Sequence, residues 1–121
     1  MIDKILNSKN LIHKALKASE LRNEAISENI ANVNTPGYKR KYVSFEAELS
    51  SAMQDGKFKV PDADQMAIKI LEDNKSSYRK DGNNVDIDVE MAELAKNTIK
   101  YNALIQMSSY NKIMNVLKNS R

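Results

Sequence analysis

A helix-length amphipathic run that stops at Asn32-Val33-Asn34-Thr35-Pro36-Gly37-Tyr38-Lys39 constrains this chain more than any other feature. Proline fixes φ near the value needed at the second position of a β-turn. Glycine supplies the positive φ that the third position of a type II turn requires. Thr35-Pro36-Gly37-Tyr38 fits that turn throughout. Thr35 precedes a proline and is pushed toward extended backbone, so the helix is predicted to end between Asn32 and Asn34. Both asparagines suit such an exit, because Asn tolerates the left-handed region and bonds to nearby backbone. Beyond the turn, Lys39, Arg40 and Lys41 alternate in function with Tyr38, Tyr42 and Phe45 to make a basic, aromatic stretch.

Upstream of the stop, Leu11 to Val33 reads as one helix. Ile12, Leu16, Ser19, Ile26, Ile30 and Val33 recur at spacings of three, four or seven, and Leu11, Ala15, Ala18 and Ala25 form a neighbouring stripe of small and apolar residues. A helix of that length is about 35 Å long. A second helix is predicted from about residue 89 to 118, or about 45 Å. Asp86 and Asp88 are its candidate caps, Glu90 adds acid at the positive end of its dipole, and Lys112 and Lys118 brace its other end. Its apolar stripe runs through Met91, Leu94, Ala95, Thr98, Ile99, Tyr101 and Ile105, and continues through Met107, Tyr110, Ile113, Met114 and Leu117.

Between these helices the pattern is weaker. Ser44-Phe45-Glu46-Ala47-Glu48-Leu49 reads as a short capped helix with Phe45, Leu49 and Met53 on one side. Residues 54–84 are broken by Asp55-Gly56, Pro61, Asp73-Asn74 and Asp81-Gly82, while Met66, Ile68 and Ile70 alternate as in a brief strand. The expected organisation is therefore an N-terminal helix (1–34), a turn with basic-aromatic extension and short helix (35–53), an irregular or flexible connector (54–84) and a C-terminal helix (85–121). The fold class is mainly α: two long terminal helices paired antiparallel in a coiled-coil-like inner domain.

Charge and composition exclude several functions. Residues 1–41 carry eight basic and four acidic side chains, residues 42–95 six and twelve, and residues 96–121 five and none. The lysines are spread along amphipathic helices with no compact cluster interleaved with aromatics, which argues against a nucleic-acid partner. No apolar run is long enough to cross a bilayer, and Met1 to Asn10 lacks the apolar core and small-residue site of a cleaved secretory signal. The absence of Cys removes disulfides and thiolate metal sites.

An enzyme is not expected either. Counting Gly82 as the sixth position of a calcium loop places Ser77 first and Arg79 third, where carboxylates or amides belong, so Asp86, Asp88 and Glu90 read as helix capping. His13 is the only histidine and has no second ligand at helical spacing. Glycine-rich phosphate loops and nucleophile motifs are absent, so no catalytic, metal or cofactor residues are assigned.

Two helices pressed together bury one stripe each. With 6% aromatics and no Trp, little remains to cover Leu104, Tyr110, Val116 and the Leu11 stripe. That surplus predicts self-assembly or partner helices, with a helical adaptor or export chaperone as the alternative to a filament component.

Ser27-Glu28-Asn29-Ile30-Ala31-Asn32-Val33-Asn34-Thr35-Pro36-Gly37-Tyr38-Lys39 resembles the N-terminal signature of the bacterial flagellar rod and hook axial proteins. Asp81-Gly82-Asn83-Asn84-Val85-Asp86-Ile87-Asp88-Val89-Glu90-Met91-Ala92-Glu93, followed by Asn97, Tyr101 and Ala103, resembles the proximal rod branch of that family. The resemblance covers about 1–53 and 79–121. It implies a structural role in the rod of the flagellar basal body, which crosses the periplasm, and export of the uncleaved chain by the flagellar type III apparatus. Implied partners are other rod proteins, the adaptor protein of the membrane ring and the export gate, with oligomers only in the assembled rod and no insertion into the membrane. The turn motif is Asn32, Asn34, Thr35, Pro36, Gly37 and Tyr38. Subunit contacts are expected at Lys39, Arg40, Lys41, Tyr42 and Phe45, which would reach a neighbour, and at Ile26, Ile30, Leu94, Tyr101, Ile105, Tyr110, Met114 and Leu117 along the helices. The helix ends are expected to become ordered on incorporation.

Overall fold

The computed structural model describes residues 2–45, 67–75 and 79–119. Its order is α1 (Ile2–Ala31), β1 (Lys41–Ser44), β2 (Lys69–Glu72) and α2 (Ile87–Asn119). The two long helices pack against each other, and their polar contacts give the direction: Asn29 meets Glu90, and Ser19 meets Asn97. Moving back along α1 is moving forward along α2, so the pair is antiparallel, as the sequence predicts.

α1 begins at Ile2, upstream of the expected start at Leu11, and its C-terminal boundary is physically readable. It extends to Ala31, shortly before Pro36, whose ring and missing N–H cannot continue it. Neither asparagine enters the left-handed region, which among the described residues only Gly37 and Gly82 occupy. Asn32 works by its side chain instead: its Nδ2 donates to the Glu28 carbonyl at 2.9 Å, and its Oδ1 accepts the Thr35 hydroxyl at 3.0 Å. At the start of α2, Asp86 is the cap, its Oδ1 accepting from the Asp88 amide at 2.9 Å.

α1 uses both of its stripes inside the chain. Ile12, Ser19 and Ile26 are buried at seven-residue intervals on the line where Ser19 faces α2. Ala18 and Ala25 form a second buried line, under Val43 and Phe45, with Leu11, Ala15, Leu21 and Ile68 packed around them. The small alanines let β1 lie close on the helix. β1 and β2 pair antiparallel in the register Lys41↔Glu72, Tyr42↔Leu71, Val43↔Ile70 and Ser44↔Lys69. Residues directly opposite share a face, so Val43 and Ile70 point toward α1 and Tyr42 and Leu71 point away. The strand expected from Ile68 and Ile70 is present. Its partner β1 has no clear alternating pattern, and sequence reading missed it.

Two expectations change. Ser44 closes β1, and Phe45, expected to reach a neighbour, is 1% exposed in the core beside α1. The rest of the expected short helix, including Leu49 and Met53, lies outside the described residues. Residues 79–84, assigned to a loose connector, form the tightly bonded joint described below.

The stripe expected to be buried on α2 is also rotated. Met91 is exposed, as are Ile105 and Ile99, the latter at 70%. The seam turned toward α1 is Glu90, Leu94, Asn97, Tyr101, Leu104, Ser108, Asn111 and Asn115, all buried or half-buried at alternating four- and three-residue steps. That spacing is a coiled-coil repeat. The expected stripe shares Leu94 and Tyr101 with this seam, and Leu104, expected to stay exposed, is half-buried in it; the rest was missed because Glu90, Asn97, Ser108, Asn111 and Asn115 are polar.

Phe45→Ala is expected to lower stability by about 3 kcal/mol, the cost of a large apolar side chain removed from a packed site. Tyr42→Ala, on the outward face of the same strand, is expected to change it by less than about 1 kcal/mol. Equilibrium urea unfolding measures both, and equal losses would contradict this placement.

Candidate functional site

An α-helix ends with carbonyls that have no partner in the helix. In α1 the carbonyls of Glu28, Asn29 and Ile30 take the amides of Asn32 and Val33, and the carbonyls of the turn that follows face Asn83, whose two Nδ2 hydrogens are shared among Asn32 O at 2.9 Å, Val33 O at 3.0 Å and Thr35 O at 2.9 Å. Arg79 donates a further bond to Val33 O. Asn83 is 0% exposed, and its own backbone fixes its side chain. Its Oδ1 accepts the Val85 amide at 2.8 Å, and its amide donates to Asp81 Oδ1 at 3.0 Å.

The turn docks on the same loop. The Tyr38 amide bonds to Thr35 O at 3.3 Å across the turn, and Gly37, at φ +74°, donates its amide to Asp81 O at 2.8 Å. Gly82, at φ +85°, comes so close that a Cβ there would sit 3.6 Å from the Gly37 Cα. Two glycine turns from opposite ends of the sequence thus pack backbone to backbone. Lys39 Nζ reaches over them to Gly82 O at 2.6 Å.

Asn29 is the second hub. Its Oδ1 accepts the Tyr38 hydroxyl at 3.0 Å and the Lys41 amide at 2.9 Å, while its Nδ2 donates to Lys41 O at 2.8 Å and Glu90 Oε2 at 3.1 Å. The whole bonding capacity of the amide is used. Glu90, 0% exposed in the first turn of α2, also pairs with Arg40 through the guanidinium Nε. The positive end of the helix dipole adds to that stabilisation of the carboxylate. The Arg40 amide donates to Asn84 Oδ1 and its carbonyl accepts the Asp73 amide, while Asn84 Nδ2 bonds to Asp73 O. Further along the helix pair, Ser19 Oγ donates to Asn97 Oδ1 at 2.7 Å and Asn97 Nδ2 donates to Ser19 O at 2.9 Å. Among the described residues no buried side-chain nitrogen or oxygen lacks a partner.

Asn29, Asn83, Asn84 and Asn97 were given no individual role from sequence, and Glu90 only that of an acid at the start of the helix. Their only signal was placement: two at helix positions reserved for packing, and two following a glycine turn.

The expected contact residues separate into two sets. Each of the three basic residues has a partner within the chain: Lys39 on Gly82, Arg40 on Glu90, and Lys41 on Glu28 at 3.0 Å. Phe45 and Ile26 are buried, and Ile30, Leu94 and Tyr101 are half-buried. Facing outward are Tyr42, Ile105, Tyr110, Met114 and Leu117. Two steps along from the inward seam, about 200° around the helix, Ile99, Ala103, Gln106, Tyr110, Ile113 and Leu117 repeat the same four-three spacing. Met107, Met114 and Val116 flank this line, so the outer side of α2 is more apolar than the inner one.

Among the described residues no group of three His, Cys, Asp or Glu side chains could hold a metal ion, and no helix is long and apolar enough to cross a membrane. A polar joint, an inward polar seam and an outward apolar seam make a helix pair suited to packing in an assembly, and residues 13–39 match the family described as flagella basal body rod protein. The class is therefore that of the axial structural proteins of the flagellum.

The similarity extends beyond that segment. The flagellar basal body rod protein FlgB of Bacillus subtilis is 36% identical over 88% of this chain and 89% of its own length. FlgB of Borreliella burgdorferi is 34% identical over 87% and 90%, and FlgB of Buchnera aphidicola is 30% identical over 98% and 99%. The chain belongs to the FlgB family of flagellar basal body rod proteins. It is a structural component of the basal body rod and not an enzyme.

Gly37→Val is expected to destabilise by about 1–3 kcal/mol, because a β-branched residue is strained at that φ although the space around it is open. Thermal unfolding reads the loss, and an unchanged midpoint would contradict the turn geometry.

Burial raises the Tyr38 hydroxyl above the ordinary phenol value of 10.0, and Lys41 is raised in the same direction by its bond to Glu28. A raised folded-state value contributes stability that is complete below pH 10 and lost as pH climbs through that value. Tyr38→Phe is expected to flatten the alkaline limb of the stability curve while costing about 1 kcal/mol at neutral pH from the lost hydrogen bond. An unchanged alkaline limb would contradict the assignment.

Proposed function

We propose that this chain sits at the proximal end of the rod, where the outer seam of α2 packs along helices of neighbouring axial subunits and carries torque through them. The observation that supports this reading is the inversion of α2. Its seam toward α1 contains Glu90, Asn97, Ser108, Asn111 and Asn115, while its opposite side presents Ile99, Tyr110 and Ile113. An amphipathic helix ordinarily turns its apolar side inward. Here the monomer leaves that side free for another helix, with Lys96, Lys100, Lys112 and Lys118 beside it and no acidic residue after Glu93. A partner helix with acidic flanks fits such a seam.

Other rod proteins are the partners of this surface. The membrane-ring adaptor and the export gate would be neighbours at the rod base, reached after export through the flagellar type III apparatus into a rod that spans the periplasm. Tyr42 and Leu71, side by side on the outer face of the strand pair, provide the second contact. The far part of α2 gains its full order when its outer seam is covered. Nothing in the comparisons favours an adaptor or chaperone that stays outside the filament.

Combining Tyr110→Glu and Ile113→Glu tests this reading. The variant is expected to keep its monomer helicity by circular dichroism, to be missing from purified basal bodies and to leave cells non-motile. Normal incorporation with normal swimming would sink the proposal.

A further inference from the structure

Apart from the β2 ladder and the Asp73 amide on Arg40 O, the bonds that shape residues 32–41 fall into two groups. Local ones come from the turn, from Asn29 and from Glu28. The others come from across the sequence: Asn83 on three carbonyls, Arg79 on Val33, Asp81 O on the Gly37 amide, Gly82 O on Lys39, and Asn84 and Glu90 on Arg40. The local group can form as soon as α1 exists. It supplies Asn32 O and Thr35 O with one donor each, the Thr35 and Tyr38 amides, gives Val33 O none, and leaves the Gly37 and Arg40 amides without acceptors.

We propose that residues 79–90 form a clasp, with Asn83 its positioning residue, which closes over the end of α1 and sets the pose of residues 37–41. The two stretches open and close together, as a unit separable from the body of α1. Separability follows from the kinds of contact involved. The body of α1 is held by packed Ala18 and Ala25 and by the Ser19–Asn97 pair, whereas the clasp consists almost wholly of hydrogen bonds and one ion pair. Such regions open locally at lower free energy than packed ones. Any process that delivers this chain N-terminus first, synthesis included, leaves the turn uncapped until residue 90 arrives. The exposed face of β1 is then among the last surfaces to take its final position. The inference concerns the chain alone and stands whether or not the outer seam of α2 is a rod contact.

Amide hydrogen exchange on the full-length chain tests it, comparing N83A, N83D and E90Q with the wild type and with N34A, an exposed neighbour. N83D keeps the size of the side chain and its acceptance from Val85 but has no N–H to donate. Both Asn83 variants are expected to accelerate exchange at the Gly37 and Arg40 amides by about tenfold or more. Amides from Ala18 to Ala25 should stay near wild type, and N34A should change none of them. E90Q, which keeps an amide or acid-sized group beside Asn29 but loses the ion pair, should give the same pattern more weakly. It carries the test if the Asn83 variants do not fold. Wild-type protection at Gly37 and Arg40, an effect of N83A that N83D lacks, or equal acceleration through Ala18 to Ala25 in E90Q would each overturn the proposal.

Discussion

Three carbonyls of the turn that follows the first helix, and one buried amide that bonds to them, hold the two halves of this chain in register. Asn83 donates to Asn32, Val33 and Thr35, and each of those acceptors lies about fifty positions upstream in the sequence. Without those bonds Asn32 O and Thr35 O would keep only their turn bonds from the Thr35 and Tyr38 amides, and Val33 O only the bond from Arg79, beside a joint where Asn83 is fully buried. The same loop receives the Gly37 amide and begins α2, so the exit angle of one helix and the entry point of the other are set together. Both sequence blocks shared with flagellar rod proteins are thus two sides of one structure.

A chain with few aromatic residues cannot rely on a large apolar core, and this one relies instead on interlocked polar contacts inside and apolar surface outside. Asn29 and Glu90 illustrate the cost and the gain. A buried carboxylate is unfavourable unless paired and bonded, and Glu90 has Arg40, Asn29 and a helix N-terminus around it. Polar groups so placed tolerate only one alignment of α1 on α2, since sliding by one turn would leave several of them unpaired. Specific pairing within the monomer then coexists with an unspent apolar seam. That combination suits a protein whose final stability comes from neighbours in a rod.

How much of this was legible in the sequence depended on the kind of signal. The helix stop could be read because proline and glycine restrict their own φ, whatever surrounds them. Both long helices were legible from periodicity, and the strand at Lys69–Glu72 from the alternation of Ile68 and Ile70. The inward side of α2 was not, because periodicity locates an apolar stripe without saying whether the chain itself covers it. Nor were the roles of Asn29 and Asn83, which depend on carbonyls brought near by the fold. The basic run at Lys39 to Lys41 was read as reaching outward for the same reason: its acidic and carbonyl partners, Glu90 and Gly82, are distant in sequence and adjacent only after the helices pair. Exposed Tyr42 remains on the outer face, where a neighbour can meet it.

The central claim is that α2 turns its polar seam toward its own α1 and its apolar seam toward other subunits. Because the chain contains no cysteine, single cysteines report faces without background. The most direct measurement is thiol cross-linking in purified basal bodies carrying one cysteine at 99, 103, 106, 110 or 113, compared with one at 94, 101, 104 or 108. The account predicts cross-links to other rod subunits from the first set and none from the second. Cross-links from the inward set, or equal yields from both, would contradict it.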